Sequence, residues 1–422
     1  MPLFGRATPE AAATPPPEPV LPAATPLPSD VEGYRDALLA QVHALRPFGI
    51  GLHEACGLTL CESIGSDLDL PVYTAATVEG WAVRASNLVG AGPKHPIVLP
   101  LVGHSGISDQ FATPLSAGTT VHVDAGAPVP EGADAVVAAD LAYDTTEAVR
   151  FTCEAAFHEN LRPAGCRVAD GDALLPSGTV LDPRMVAMLA EVGLDKVLAR
   201  PKPRVIVVTV GADLVEPGQP LTRLSQTYDC STAMIAAAAR KDGANAFPIG
   251  VVASDAAELR LILSEQLVRA DLMIVTAEDT GLLIRALAPL GDTQTTEVAM
   301  TPGGRLVFGH IGVERVPVLG LPGGVVPTYI AYEVFARGLI RSMAGQDPLD
   351  RPVIDEPVAE ALPYDADRTQ FVLAVAGVRG VAPISLAPDA GGVELAYANS
   401  LIVVPPGVRI DAGDAATCWP LN

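Results

Sequence analysis

The period of the hydrophobic positions changes along the chain, and each change predicts a different kind of element. Val31, Tyr34, Leu38, Val42 and Leu45 recur at helical spacing. Ser29 and Glu32 precede them as a capping-box pair, so the pattern predicts a helix over residues 29–45, ended by Pro47. Over residues 49–130 the apolar runs shorten and are split by Gly, Pro and Asp, as in Ile97-Val98-Leu99 and Val121-His122-Val123, which predicts a β-rich segment. A turn–strand–turn pattern over residues 160–181 leads into a predicted helix over 183–192.

After Pro203 the two periods alternate. Apolar strands are predicted at 205–208, 272–275 and 316–319, with helices at 231–240, 257–268 and 326–343. Strands alternating with helices predict a parallel-rich sheet with helices on both faces. Beyond Asp347-Pro348 the pattern returns to short strands, among them 371–375 and 401–404, separated by Gly- and Pro-rich turns, as in a small β-barrel or sandwich. The fold class is therefore multidomain α/β plus β.

Composition narrows the function classes. The 422 residues exceed what one core usually organises, so several domains are expected. Hydrophobic residues make up 49% but are interrupted by 39 Gly and 39 Pro, and no run approaches the roughly 20 apolar residues that span a bilayer. Lys and Arg total 27 against 49 Asp and Glu, a net charge of -22 that disfavours nonspecific nucleic-acid or anionic-lipid binding. The six cysteines show no C-x-x-C pair and read as reduced cytoplasmic thiols. The seven histidines show no H-x-x-x-H or H-E-x-x-H spacing, so spacing assigns no metal ligand. Residues 1–28, dominated by Ala and Pro, are expected to be a disordered tail without the features of a secretory signal.

The motifs carry more information. Leu70-Pro71-Val72-Tyr73-Thr74-Ala75-Ala76-Thr77-Val78-Glu79-Gly80-Trp81-Ala82-Val83-Arg84 resembles the L-P-x-F-D-N-S-A-M-D-G-Y-A-V-R segment of the MoeA/gephyrin family, which inserts molybdate into adenylylated molybdopterin. Ala125-Gly126-Ala127-Pro128-Val129-Pro130-Glu131-Gly132-Ala133-Asp134 is similar to a second family run, T-G-A-P-x-P-x-G-A-D. Further similarities follow at Gly211 with Asp213, Tyr228-Asp229, Pro302-Gly303 and Gly320-Leu321-Pro322-Gly323.

The resemblance implies an elongated, homodimeric subunit of four domains. Residues 29–47 and 196–345 would form the α/β pterin-binding domain, and 48–66 with 165–195 a linker and dimerisation domain. Residues 67–164 would be an inserted β-rich domain and 346–422 a C-terminal β domain. It also implies a site, in which Glu79 and Asp213 occupy catalytic positions. Gly211, Tyr228, Asp229, Ser231, Pro302, Gly303, Arg305, Pro322, Gly323 and Arg368 occupy cofactor-binding ones.

The polar groups of those motifs are largely replaced. The family's M-K-P-G-K-P is Met300-Thr301-Pro302-Gly303-Gly304-Arg305 here, without either lysine, and its T-S-G-G is Thr276-Ala277-Glu278-Asp279, with two acids in place of two glycines. Handling molybdate and a pyrophosphate calls for positive charge and close backbone approach, which these changes oppose.

The expectation is thus a cytoplasmic homodimer whose transferase site has degenerated into a scaffold. By analogy with gephyrin it would link a membrane receptor or a tubulin-like division filament through the C-terminal β domain or the dimer groove, without nucleic acid or membrane insertion. Two alternatives stay open. One is an active molybdopterin molybdenumtransferase using Mg and molybdopterin-AMP, and the other is a pterin-binding sensor without turnover.

Overall fold

A computed structural model describes residues 26–108, 114–145, 147–384 and 391–421. The tail expected over residues 1–28 lies almost wholly outside them. Among the described residues no helix is long and apolar enough to cross a membrane. The described residues form two compact units, one within Ala44–Lys202 with Met343–Asp347, the other of residues 26–43 with Pro203–Ser342 and the described residues from Pro348 onward.

In the first unit a three-stranded antiparallel sheet places Lys196–Arg200 between Phe48–Gly51 and Thr59–Leu60. This corrects the expected boundary at residue 196. Val197 and Ala199 alternate inward onto Ile50, Leu60, Leu181 and Leu189, so the strand closes the linker core and takes no part in the α/β sheet. The Pro183–Glu191 helix starts as its sequence predicts. Asp182 accepts from the backbone N–H of Arg184 (2.8 Å) and Met185 (2.9 Å), and Pro183 occupies the first turn, where no N–H is needed.

The inserted part of this unit is a six-stranded sheet. Gly80–Val83 lies between Ala135–Ala138 and Thr120–Val123, followed by Ile97–Ser105, Ala148–Phe151 and Ala142–Asp144. All four residues of Gly80–Val83 are buried because the sheet is covered on both faces. Trp81 and Val83 point into a cluster with Leu99, Val137 and Phe151, and Ala82 into one with Val121, Val123 and Val136. Gly80 has no alternative here, since a Cβ would fall 2.0 Å from the Val137 carbonyl oxygen.

The second unit holds a sheet in the order Asn245–Val252, Arg204–Val210, Leu272–Ala277, Val316–Pro322, Arg305–Ile311 and Gly291–Glu297. The first four strands are parallel and the last two antiparallel. Ile206, Val208 and Val210 pack with Leu259, Leu263, Leu282 and Leu283, burying one side of the sheet against the helices Ala256–Gln266 and Thr280–Leu287. The intervening Val205 and Val207, also buried, belong to the opposite face.

The N-terminal helix of this unit is shorter than its periodicity predicts. It spans Val31–Leu39, and its cap is Asp30, which accepts from the Gly33 N–H at 2.7 Å, instead of Ser29. Asp and Ser cap equally well, so the capping-box pattern cannot choose between neighbours. The long helix predicted over 326–343 is interrupted by a π-helical turn at Tyr332–Ala336 between Val325–Ala331 and Arg337–Met343.

The C-terminal sheet runs Met300–Thr301, Thr369–Gly377, Ser400–Val404, Ala415–Pro420 and Ile354–Pro357. Ser400–Val404, part of the region expected to meet a partner, is a central strand in which Leu401, Ile402 and Val404 are buried, so it offers little surface for contact.

Candidate functional site

Arg204–Val210, Leu272–Ala277 and Val316–Pro322 run parallel and end on one edge, where a cavity of about 250 Å³ opens. Loops leaving neighbouring parallel strands diverge at this edge, which makes it the usual place for a ligand in an open α/β sheet. The strand ends contribute Thr209, Val210, Thr276 and Ala277 to the lining. The following loops contribute Leu214, Thr227 to Ser231, Glu278 and Gly323 to Val325.

The buried side of the cavity is hydroxylic. Thr209 and Thr276 are register partners on adjacent strands, and the Thr276 hydroxyl donates to Thr209 Oγ1 at 3.0 Å. Thr209 Oγ1 in turn lies 2.8 Å from Thr232 Oγ1 on the Ser231–Lys241 helix. Asp229, only 4% exposed, accepts on Oδ1 from the Ser231 N–H (2.9 Å) and the Thr232 N–H (3.2 Å). This carboxylate is committed to the helix N-terminus, whose unpaired N–H groups need an acceptor. Burial, and then the Asp229 charge, push the Cys230 thiol above its ordinary range, so it is a neutral thiol at neutral pH and a weak nucleophile.

The two acids that replace glycines have separate fates. Asp279 caps the Thr280–Leu287 helix, accepting from the Gly281 N–H at 2.8 Å, and the Leu282 and Gly281 backbone N–H groups hold its carboxyl below the usual range. Glu278 stays in the cavity. A Cβ on Gly323 would fall 2.2 Å from Glu278 Cγ, so the glycine is what makes room for the longer acid.

Of the residues selected by sequence, Tyr228, Asp229, Ser231 and Gly323 line the cavity. Pro322 ends the strand before Gly323, and Gly211 follows the lining Val210. A Cβ on Gly211 would meet Leu214 Cδ1 at 2.6 Å, so this glycine lets Leu214 fold over the strand end.

Asp213, Pro302, Gly303, Arg305 and Arg368 are not among the lining residues. Asp213 accepts from the Ser225 hydroxyl at 3.0 Å and faces Arg223 Nη2 at 3.4 Å. Gly303, with a φ of +83°, follows Pro302 and packs near Pro322 and Pro327. Arg305 stands opposite Glu297 in the edge ladder, and Arg368 lies 4.0 Å from the same carboxylate, so both cations belong to a surface cluster. Glu79, in the other unit, places Oε1 3.3 Å from His122 Nε2.

Sequence reasoning missed Thr209, Thr227, Cys230, Thr276 and Glu278 as lining residues, although the strand-end rule points to most of them. It also missed Arg223. This arginine donates to the Ala212 carbonyl at 3.1 Å, on the loop that carries Leu214, Thr227 and Tyr228 to the cavity.

A protein-held Mg²⁺ does not fit this lining. Asp229 is spent on capping, Asp213 faces Arg223, and among the described residues no group of three metal-ligating side chains gathers at the cavity. A hard divalent cation with near-ideal octahedral demands would find only the Glu278 carboxylate and the second oxygen of the capping Asp229, too few for its shell.

Comparison with known proteins places this geometry in context. Residues 29–193 match the family model described as "MoeA N-terminal region (domain I and II)", and residues 206–342 match the "Probable molybdopterin binding domain". The chain is 30% identical over 417 residues to molybdopterin molybdenumtransferase 1 of Mycobacterium tuberculosis, covering 90% of this chain and 95% of that one. It is 29% identical to molybdopterin molybdenumtransferase 2 of the same organism, over 93% of this chain and 99% of the relative. A solved molybdopterin biosynthesis MoeA protein of Pyrococcus horikoshii superposes with a TM-score of 0.82 at 21% identity, covering 93% of this chain and 99% of that chain.

Proposed function

Because the chain belongs to the MoeA family of molybdopterin molybdenumtransferases, we propose that it binds molybdopterin in the cavity at the carboxyl edge of its parallel sheet and transfers molybdenum to it. The observation that carries this reading is the cavity itself, which lies within the segment matching the molybdopterin-binding model. A pterin presents an aromatic face and an edge of alternating donors and acceptors. Tyr228, 47% exposed at the cavity, offers a ring, and the Ser231 and Thr227 hydroxyls offer groups that both donate and accept.

Transfer also requires tolerance of phosphate and molybdate charge. Arg223 is the cation placed on the cavity loop, where it would hold a phosphate as a fork of N–H donors when Asp213 yields to the stronger anion. The helix after Gly324 and the strand-end hydroxyls orient the substrate, and no step here uses a protein-bound metal. The homodimer implied by the family resemblance is part of this proposal, and light scattering should then give about twice the chain's 43.5 kDa. The relatives named above are transferases and none of those names carries a scaffolding role, so the transferase is preferred to the receptor- or filament-linking scaffold.

A second reading, pterin binding without turnover, is favoured by one observation. Glu278 adds negative charge inside the cavity, where incoming anions would be repelled. The test is molybdate-dependent activation of an apo-molybdoenzyme, using purified protein and adenylylated molybdopterin. Activation that depends on the protein supports the transferase. Pterin retained without activation supports the second reading, and neither retention nor activation contradicts both.

A further inference from the structure

The inserted β sheet carries a cluster that the cavity does not use. Ile97–Ser105 and Thr120–Val123 pair in parallel with His104 opposite His122, and the two imidazoles stack with centroids 5.2 Å apart and planes 19° apart. Asp124 follows the second strand, and its backbone N–H donates to the Ser105 carbonyl at 3.0 Å, which fixes the carboxylate beside both rings. Asp124 Oδ1 is 2.8 Å from His104 Nε2 and 3.9 Å from His122 Nδ1. One ligand atom from each of the three residues lies within 4.8 Å of the others.

We propose that His104, His122 and Asp124 bind a first-row divalent transition ion such as Zn²⁺, with Glu79 orienting His122 from behind. Ligand atoms on a tetrahedral ion with bonds of about 2.0–2.1 Å stand roughly 3.3 Å apart, and the distances of 2.8 and 3.9 Å bracket that separation. Two imidazoles and one carboxylate are a ligand set that suits zinc and its neighbours better than Mg²⁺ or Ca²⁺.

The surroundings support the assignment. Glu79 Oε1 lies 3.3 Å from His122 Nε2, a separation at which its charge favours the proton on that nitrogen and leaves the Nδ1 lone pair for the ion. Trp81 packs edge-on against His122 with centroids 4.9 Å apart and limits rotation of the ring. Among the described residues no Lys or Arg forms an ion pair with Asp124 or Glu79, so neither carboxylate is neutralised by a fixed cation. His104 and Asp124 are half-exposed, which gives an ion access and leaves room for water or an oxyanion at the remaining coordination position.

The experiment uses the full chain, freed of metal by a chelator and carrying no affinity tag, titrated with Co²⁺ and then Zn²⁺. One equivalent of Co²⁺ should bind with visible d–d bands and without thiolate charge transfer in the near ultraviolet, and Zn²⁺ should displace it. His104→Ala and Asp124→Asn should each abolish the bands, and Glu79→Gln should weaken binding by about 10–100-fold. Each variant is checked for unchanged thermal unfolding in chelator, and His104→Gln replaces His104→Ala if the smaller residue destabilises the sheet. Absence of a saturable band, bands that survive His104 replacement, or thiolate charge transfer would overturn the site. Unchanged affinity in Glu79→Gln would overturn the role given to Glu79.

Discussion

Two sets of carboxylates, one in the α/β segment and one on the inserted sheet, are used in opposite ways. In the Pro203–Ser342 segment Asp229, Asp255 and Asp279 accept from backbone N–H groups at helix N-termini. Glu333, 2% exposed, receives two guanidinium hydrogen bonds from Arg351 at 2.7 and 2.9 Å. In the inserted sheet Glu79 and Asp124 instead face imidazoles. The contrast shows that a carboxylate at a motif position is free for chemistry only if neither a helix terminus nor an arginine has already claimed it.

The largest effect should come from breaking a claimed carboxylate. Glu333→Gln leaves Arg351 buried without its counter-charge and should cost about 3–5 kcal/mol of stability, measured by denaturant unfolding. A loss below about 1 kcal/mol would mean that water reaches the pair.

Next in size is the cap beneath the cavity. Asp229→Ala should lose about 1–2 kcal/mol, whereas Asp229→Asn, an equally good cap, should lose little. Equal losses in both variants would show that the Asp229 charge matters beyond capping.

A smaller, pH-dependent effect is expected at Asp242. Burial raises its carboxyl above the usual range, against the lowering influence of the Tyr332 hydroxyl, which donates to Oδ2 at 2.7 Å, and of Arg337, whose Nε lies 3.2 Å from Oδ1 without being aimed for a hydrogen bond. The folded state therefore holds this proton more tightly than the unfolded chain. Its stabilising contribution is full below the ordinary carboxylate range and is lost as pH rises through the raised value. Melting of Asp242→Asn between pH 4 and pH 7 should lack that decline, and an unchanged slope would reject the assignment.

The skeleton of this protein was legible in its sequence because period and punctuation report local structure. The strands at 205–208, 272–275 and 316–319 and the helix start at Asp182 follow from apolar runs and capping residues. The Lys196–Arg200 strand was misassigned because its partners, Phe48–Gly51 and Thr59–Leu60, are more than 130 residues away in sequence. The histidine cluster was illegible for the same reason. His104 and His122 meet through strand register, which no H-x-x-x-H search can detect. The cavity lining was half legible: motif similarity selected Tyr228, Asp229, Ser231 and Gly323, which line it, but it could not show that Asp279 would turn to a cap while Glu278 remained in the cavity.

Two substitutions sharpen the contrast at the cavity. Arg223→Ala should weaken binding of adenylylated molybdopterin by roughly tenfold, the scale of one exposed charge-assisted hydrogen bond, while leaving phosphate-free pterin unaffected. Glu278→Gly should tighten the phosphorylated ligand several-fold by removing one like charge, and tightening that persists at high salt would argue for a steric cause.

The central claim, that the carboxyl-edge cavity is the pterin site, is tested most directly by amide hydrogen exchange of the full chain with and without molybdopterin. The account predicts slower exchange in the segments that carry Val210, Thr227 to Ser231, Ala277 to Glu278 and Gly323 to Val325. Ligand binding with protection confined to the Ala44–Lys202 unit, and none in these segments, would contradict it.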